Sequence, residues 1–223
     1  MIFFSSLPIE PFQNLSAQEL RGDETWWRIY EDSFPASQRE PPDVIVKSVL
    51  REAGMAFRVR QHGVTCGLAA THLLKGPAAV FLVYLAVARG ARNRGAGGEL
   101  FELAWQSGAT RLHAQGLQPL GLIWEVDSPQ PTTKEADARQ RRIAFFQRHG
   151  GKLLRRPYFQ PPVGGVTAVP MTLMFRPAKG EEIPTWESVT ALVRSIYFEK
   201  YGAFNGIDRS ILEKLLMDLG SSH

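Results

Sequence analysis

Cysteine is nearly missing from this chain. One residue, Cys66, stands among 223, which excludes an intramolecular disulfide and any cluster of cysteine metal ligands. No apolar run approaches the length of a membrane span. The opening stretch "MIFFSSLPIEPF" has a very short apolar run and no basic residue ahead of it, unlike a secretory leader. Repeats at solenoid periods are absent, as are low-complexity tracts. These absences predict a protein without membrane insertion, without a bound metal, and in the cytoplasm.

What is present is an ordinary globular composition, 44% hydrophobic and 22% charged, in a chain long enough for one sizeable domain or a domain with an appendage. The net charge of +4 and pI of about 9.4 suit an anionic ligand without requiring one. Position matters more than the total. One basic stretch, "ARQRRIAFFQRHGGKLLRR" from Ala138 to Arg156, reads first as a solvated helix face; a second holds Arg89, Arg92 and Arg94.

Periodicity divides the chain into elements. "GDETWWRIYEDSF" spaces Trp26, Ile29, Tyr30 and Phe34 for a helix with acidic residues at its amino end. Pro41 and Pro42 can open a second helix, which Gly54 would close in a left-handed conformation. A hairpin around His62-Gly63 follows, then the apolar run "AVFLVYLAVA", a buried strand. A helix beginning near Gly97 and ending near Gly116 leads to another buried strand, "PLGLIWEVDSP". Thr132 and Glu135 have capping-box spacing, so a helix is predicted from Thr133 to His149. "KLLRRPYF" and "TAVPMTLMF" then read as an antiparallel strand pair. Residues 1–177 form one unit on this reading. Residues 178–223, a linker with two helices, are too few to bury a core alone.

The segment "LAVARGARNRGAGGELFELAWQSG", Leu85 to Gly108, runs from strand through a glycine-rich turn into a helix. Such a turn offers free backbone N–H groups and a helix amino terminus to an anion. Glycine lets that backbone approach phosphate closely. A P-loop would end in Gly-Lys-Ser/Thr, but Glu99 follows Gly97 and Gly98. A dinucleotide fingerprint would need a small residue where Leu100 stands.

The remaining pattern, Arg-x-x-Gly-x-Gly at Arg92, Gly95 and Gly97 directly after "LAV", resembles the acetyl-CoA loop of the GNAT superfamily of N-acetyltransferases. The order of elements from about Ile2 to Phe175 resembles that family too. The resemblance implies an α+β fold: a central mixed, mostly antiparallel sheet flanked by helices, here with a C-terminal helical extension. It implies that the strand with Leu85 and Val87 splays from the strand with Ile123 to Val126, and that pantetheine lies between them against Leu85, Val87 and Phe146. The pyrophosphate would rest on Arg92, Asn93, Arg94, Gly95, Ala96 and Gly97, with Gly98 at the helix start. The implied activity is acetyl transfer from acetyl-CoA to a primary amine of a small molecule, an amino-acid-like metabolite or a peptide, by direct attack in a ternary complex.

That chemistry needs a neutral amine, hence a base, and N–H donors for the developing oxyanion, which backbone near Leu85 would supply. Glu125, ending an apolar strand at the mouth of the expected gap, is the candidate base, since partial burial would raise its pKa. Asp127, two residues on and on the same face, is the alternative; either carboxylate would equally serve to cap a turn or pair with an arginine. For the leaving thiolate, family members often carry a tyrosine where "FFQRHG" places Phe146, so the acid is unassigned. Tyr158 is a substitute candidate, or a structural tyrosine. His149 fits a helix-end dipole contact, and Cys66 fits a buried strand better than an acyl carrier. In the tail, Leu192, Ile196 and Tyr197 at helical spacing predict packing onto the domain or onto a second copy in a homodimer. Two other readings compete. One is a non-catalytic module binding CoA for sensing or assembly, which Phe146 and the tail favour. The other, ranked last, is nucleic-acid binding by the Arg139–Arg156 stretch.

Overall fold

The structure, a computed structural model, describes residues 10–127, 133–165, 167–180 and 182–220. A seven-stranded sheet organises it. The chain begins with β1 (Gln13–Leu15), α1 (Ala17–Gly22), α2 (Glu24–Ser33) and α3 (Pro42–Leu50), then β2 (Gly54–Gln61), β3 (Val64–Lys75) and β4 (Ala78–Val87). Next come α4 (Ala96–Ala114), β5 (Gly121–Asp127), α5 (Thr133–Arg148), β6 (Lys152–Gln160) and β7 (Val169–Pro177). The tail adds α6 (Trp186–Ser195), a π-helical segment (Ile196–Gly202) and α7 (Arg209–Gly220). The strand order is β1-β2-β3-β4-β5-β7-β6. Among the described residues only β4 and β5 pair in parallel; every other neighbour is antiparallel. This is the expected α+β architecture, with the short β1 and α1 added.

Local chemistry explains the element ends. The β2–β3 hairpin turns on His62 and Gly63, both at positive φ (56° and 73°), as a two-residue primed turn requires. Pro42 starts α3 at its first helical position. Gly54 does not play the expected left-handed role: Glu52 takes positive φ (55°) at that helix end. Gly54 opens β2 instead, where a Cβ would lie 2.3 Å from the Thr71 carbonyl and 2.5 Å from Ser48 Oγ; close approach, not conformation, requires the glycine. Gly95, with φ 87°, is the N-cap of α4, so the helix begins one residue earlier than Gly97. Thr132 and the Glu135 side chain lie outside the described residues, although the helix start at Thr133 stands.

Three apolar clusters bury the sheet. On one face α4 and α5 cover Val80, Leu82, Leu122, Trp124 and Val126 through Leu100, Phe101, Ala104 and Phe146. On the other, α1 to α3 cover the β2–β4 half with Trp26, Ile29, Tyr30, Ile45 and Val46. The tail covers the β4–β7 half of that second face with Val189, Leu192, Val193, Ile196, Tyr197, Tyr201 and Leu212. The tail thus packs on its own chain, with Leu192, Ile196, Tyr197 and Tyr201 wholly buried.

One irregularity matters for function. In the β3–β4 pairing Ala70 faces Tyr84 but Thr71 faces Leu82, leaving Val83 as a bulge. A one-residue bulge reverses the facing of all later side chains. Val80 and Leu82 face α4 and α5, whereas Tyr84 and Ala86 face the opposite helices. The β4–β5 pairing runs from Val80↔Leu122 to Leu82↔Trp124 and stops there.

Candidate active site

Beyond Leu82 the two parallel strands separate, and the gap is a cavity of about 730 Å³, within the size range of small-ligand sites. Its walls are Leu82–Val87 of β4 and Trp124–Asp127 of β5. Because the bulge reverses the facing, Leu85 and Val87 join the α4/α5 side, while Tyr84 projects to the other side among Tyr30 and Phe34. The gap therefore opens through the sheet, with different chemistry on each face.

On the α4/α5 side stands the glycine loop. Arg92, Asn93, Gly95, Ala96, Gly97 and Gly98 all line the cavity. Arg94 does not, although it is exposed in the same loop. Asn93 and Gly95 both have positive φ (62° and 87°), so the loop turns sharply on its way into α4. Within α4 the first N–H groups have no partner four residues back; Gly98 and Glu99 both donate to the Gly95 carbonyl. Close packing accounts for Gly98, while Gly97 has room for an ordinary contact. A Cβ on Gly98 would lie 2.6 Å from the His149 ring, and one on Gly97 3.5 Å from Phe145. Arg92 Nε donates to the Val87 carbonyl at 3.0 Å, anchoring the loop to the strand end. The arrangement fits a diphosphate in residue type, backbone and charge. Phe146 packs at 4.9 Å from Trp124 and 5.5 Å from Phe101, an apolar wall without a proton to give.

On the opposite side stands Glu125, held by four hydrogen bonds from three side chains. Tyr158 donates to Oε1, Gln160 Nε2 to Oε2 at 2.8 Å, and the Tyr201 hydroxyl lies 2.9 Å from each oxygen. Burial pushes the carboxyl up to about 7, against the opposing effect of those three donors. Burial also holds the Tyr158 and Tyr201 phenols well above 10, so they stay protonated donors. Tyr158 is therefore the partner of the carboxylate from behind; Glu125 and Gln160 reach the cavity, and Tyr158 is not among its lining residues. Asp127 shares the face of Glu125 but is taken up by Arg142 and by Gln38 Nε2 at 3.0 Å. His149 sits against Gly98, its Nδ1 3.8 Å from Glu102. Cys66 is buried in the core with its thiol pushed up by burial.

Nothing in the local sequence pattern pointed to Gln160, Tyr201 or the pair behind them. Lys200 Nζ and Glu40 Oε1 are 2.7 Å apart with side chains 2% and 1% exposed. Tyr84 anchors the same region by accepting from the Glu40 N–H at 3.0 Å and donating to the Gln38 carbonyl at 3.1 Å. Gln160 Oε1 is buried and has no hydrogen-bond partner among the described residues.

No protein-family model matches the chain, and no curated protein matches it. Solved structures do. A protein described as a GNAT-family acetyltransferase from Bacteroides thetaiotaomicron is 19% identical, with a TM-score of 0.64 over 87% of this chain and 99% of that one. NAA60 of Arabidopsis thaliana, solved in complex with acetyl-CoA, is 16% identical with a TM-score of 0.55 over 78% of this chain and all (100%) of its own. The ribosomal-protein-S18-alanine N-acetyltransferase of Escherichia coli is 20% identical, with a TM-score of 0.50 over 78% and 98%. At these identities the likeness is one of fold, and the chain has the fold of the GNAT acetyltransferases.

Proposed function

We propose that the protein is a cytoplasmic acetyl-CoA-dependent N-acetyltransferase. Residues 1–177 form the transferase domain and 178–223 an extension packed on it. The acceptor is a primary amine of a small molecule, an amino-acid-like metabolite or a peptide. The observation that carries this reading is one gap through the sheet with an anion cradle on one face and an ionisable carboxylate on the other. Two reactants entering from opposite faces meet inside the gap, as direct transfer in a ternary complex demands.

Bound acetyl-CoA supplies the thioester carbonyl that the amine attacks. Everything else falls to this chain. The loop from Arg92 to Gly98 holds the diphosphate by main-chain N–H groups, and Leu85, Val87 and Phe146 line the path of the apolar arm. Glu125 takes the proton from the amine. A carboxyl near 7 is half ionised at neutral pH and basic enough to work. Past the Val83 bulge the edge of β4 has no strand partner from β5, so its backbone N–H groups serve the developing oxyanion. An alkyl thiol is acidic enough, about 8.5 for a cysteine side chain, to leave as the anion, so the phenylalanine at 146 is no obstacle.

Calorimetric titration with acetyl-CoA, beside Gly95→Glu, tests the cradle. Micromolar binding, roughly −8 kcal/mol, is expected for the wild type and none for the variant, whose carboxylate repels phosphate and whose left-handed backbone disfavours any side chain. With an acceptor found from an amine panel, Glu125→Gln should bind acetyl-CoA normally and lose roughly 100-fold or more in turnover. Binding without turnover across the panel would favour the non-catalytic reading, and no binding in either protein would end both.

A further inference from the structure

We infer that the C-terminal extension belongs to the reaction centre, with Tyr201 of its π-helical segment acting as a positioning residue that orients the Glu125 carboxylate. The inference rests on Glu125 being the base.

The geometry is specific. The Tyr201 oxygen is equidistant from the two carboxylate oxygens, 2.9 Å from each, so its one proton is shared between them and fixes the carboxylate plane. Filling the space alone would need only phenylalanine. Burying a phenol costs free energy unless its hydroxyl finds a partner, and here the partners are those of the carboxylate, with Gln160 Nε2 more distant at 3.4 Å.

The tail is fastened at two further points just before this contact. Next to Tyr201, Lys200 donates to Glu40 Oε2 at 2.8 Å and to Asn205 Oδ1 at 3.0 Å. Four residues earlier, the Tyr197 hydroxyl donates to the Phe159 carbonyl at 2.7 Å. Phe159 lies between Tyr158 and Gln160, the two other donors to Glu125. A buried ion pair adds little stability compared with an apolar pair, so its best-founded use is to set register. The backbone departs from α-helix here, with the Ala203 N–H bonded to the Phe198 carbonyl five residues back, a rare geometry that concentrates at functional sites. One short segment thus places Tyr197, Lys200 and Tyr201 together on the sheet.

The groups facing Glu125 are Tyr158 from β6, Tyr197, Lys200 and Tyr201 from the tail, and Glu40 from the segment between α2 and α3. Donation from Tyr201 favours the ionised carboxylate, so removing that donor moves the carboxyl upward.

The test is an infrared difference titration of the protonated carboxyl band that is absent from Glu125→Gln. In the wild type its midpoint lies near 7. Tyr201→Phe should raise the midpoint by about one pH unit, a roughly tenfold fall in ionised fraction below it. Replacing Tyr201 with 3,5-difluorotyrosine, a stronger donor of nearly the same shape, should lower it. Tyr197→Phe, which also removes a buried tail hydroxyl, should leave it in place. With an acceptor in hand, the acid limb of kcat/KM should move upward with the band in Tyr201→Phe. A midpoint unmoved by Tyr201→Phe and by the fluorinated residue overturns the inference even if Glu125→Gln is inactive. An equal shift in Tyr197→Phe overturns it as well, since packing alone would then account for the effect. Full turnover in Glu125→Gln overturns the assignment of the base, and the role of Tyr201 with it.

Discussion

The raised Glu125 carboxyl gives a prediction that needs no acceptor. Its midpoint moves from an ordinary 4.5 to about 7 on folding. Between those values the native state keeps a proton that the unfolded chain has lost. Stability from this group is therefore full below 4.5 and declines as pH rises to about 7. A displacement of that size corresponds to about 3 kcal/mol. For a chain of this length each kcal/mol moves Tm by about 2–4 °C, so the whole effect is about 6–12 °C. Wild type and Glu125→Gln should be melted side by side across that window. Other groups titrate in both proteins, and the difference between their curves isolates Glu125. The wild type should lose stability relative to Glu125→Gln as pH rises, and the gap should stop widening once the carboxyl is ionised. Parallel curves would refute the claim that burial outweighs the three donors.

Two further outcomes follow from packing. Lys200→Met strands the Glu40 carboxylate in the interior and should cost about 3–5 kcal/mol in denaturant unfolding, most of it recovered in Glu40→Gln/Lys200→Met; additive losses would contradict the pairing. Gly54→Ala brings a methyl within 2.3 Å of the Thr71 carbonyl and should cost about 1–3 kcal/mol, measured by the same unfolding curves. No loss would mean that the β2–β3 start is less tightly packed than described.

Much of the fold was legible because it is written in local chemistry. His62-Gly63 announces the hairpin through its need for positive φ, Pro42 the start of α3, and Gly95 the turn before α4. The path of the glycine-rich turn into α4 was legible for the same reason, since it depends on which residues permit positive φ. Gly54 was misread because a sequence does not distinguish a glycine needed for its φ from one needed for its missing Cβ, a matter settled by Thr71 and Ser48.

The sequence by itself determined the alternation of strand and helix, the glycine loop and the place of Glu125 on a strand end, all of which depend on residues close together in the chain. Only the tertiary structure decided how Glu125 is surrounded. Its donors come from 33, 35 and 76 residues away, and the Lys200–Glu40 pair spans 160. The bulge at Val83 likewise has no mark in "VFLVYLAV", because a strand's register is a relation to its neighbour. Hydrogen bonds between distant side chains are made by topology, and no periodicity within one segment encodes them.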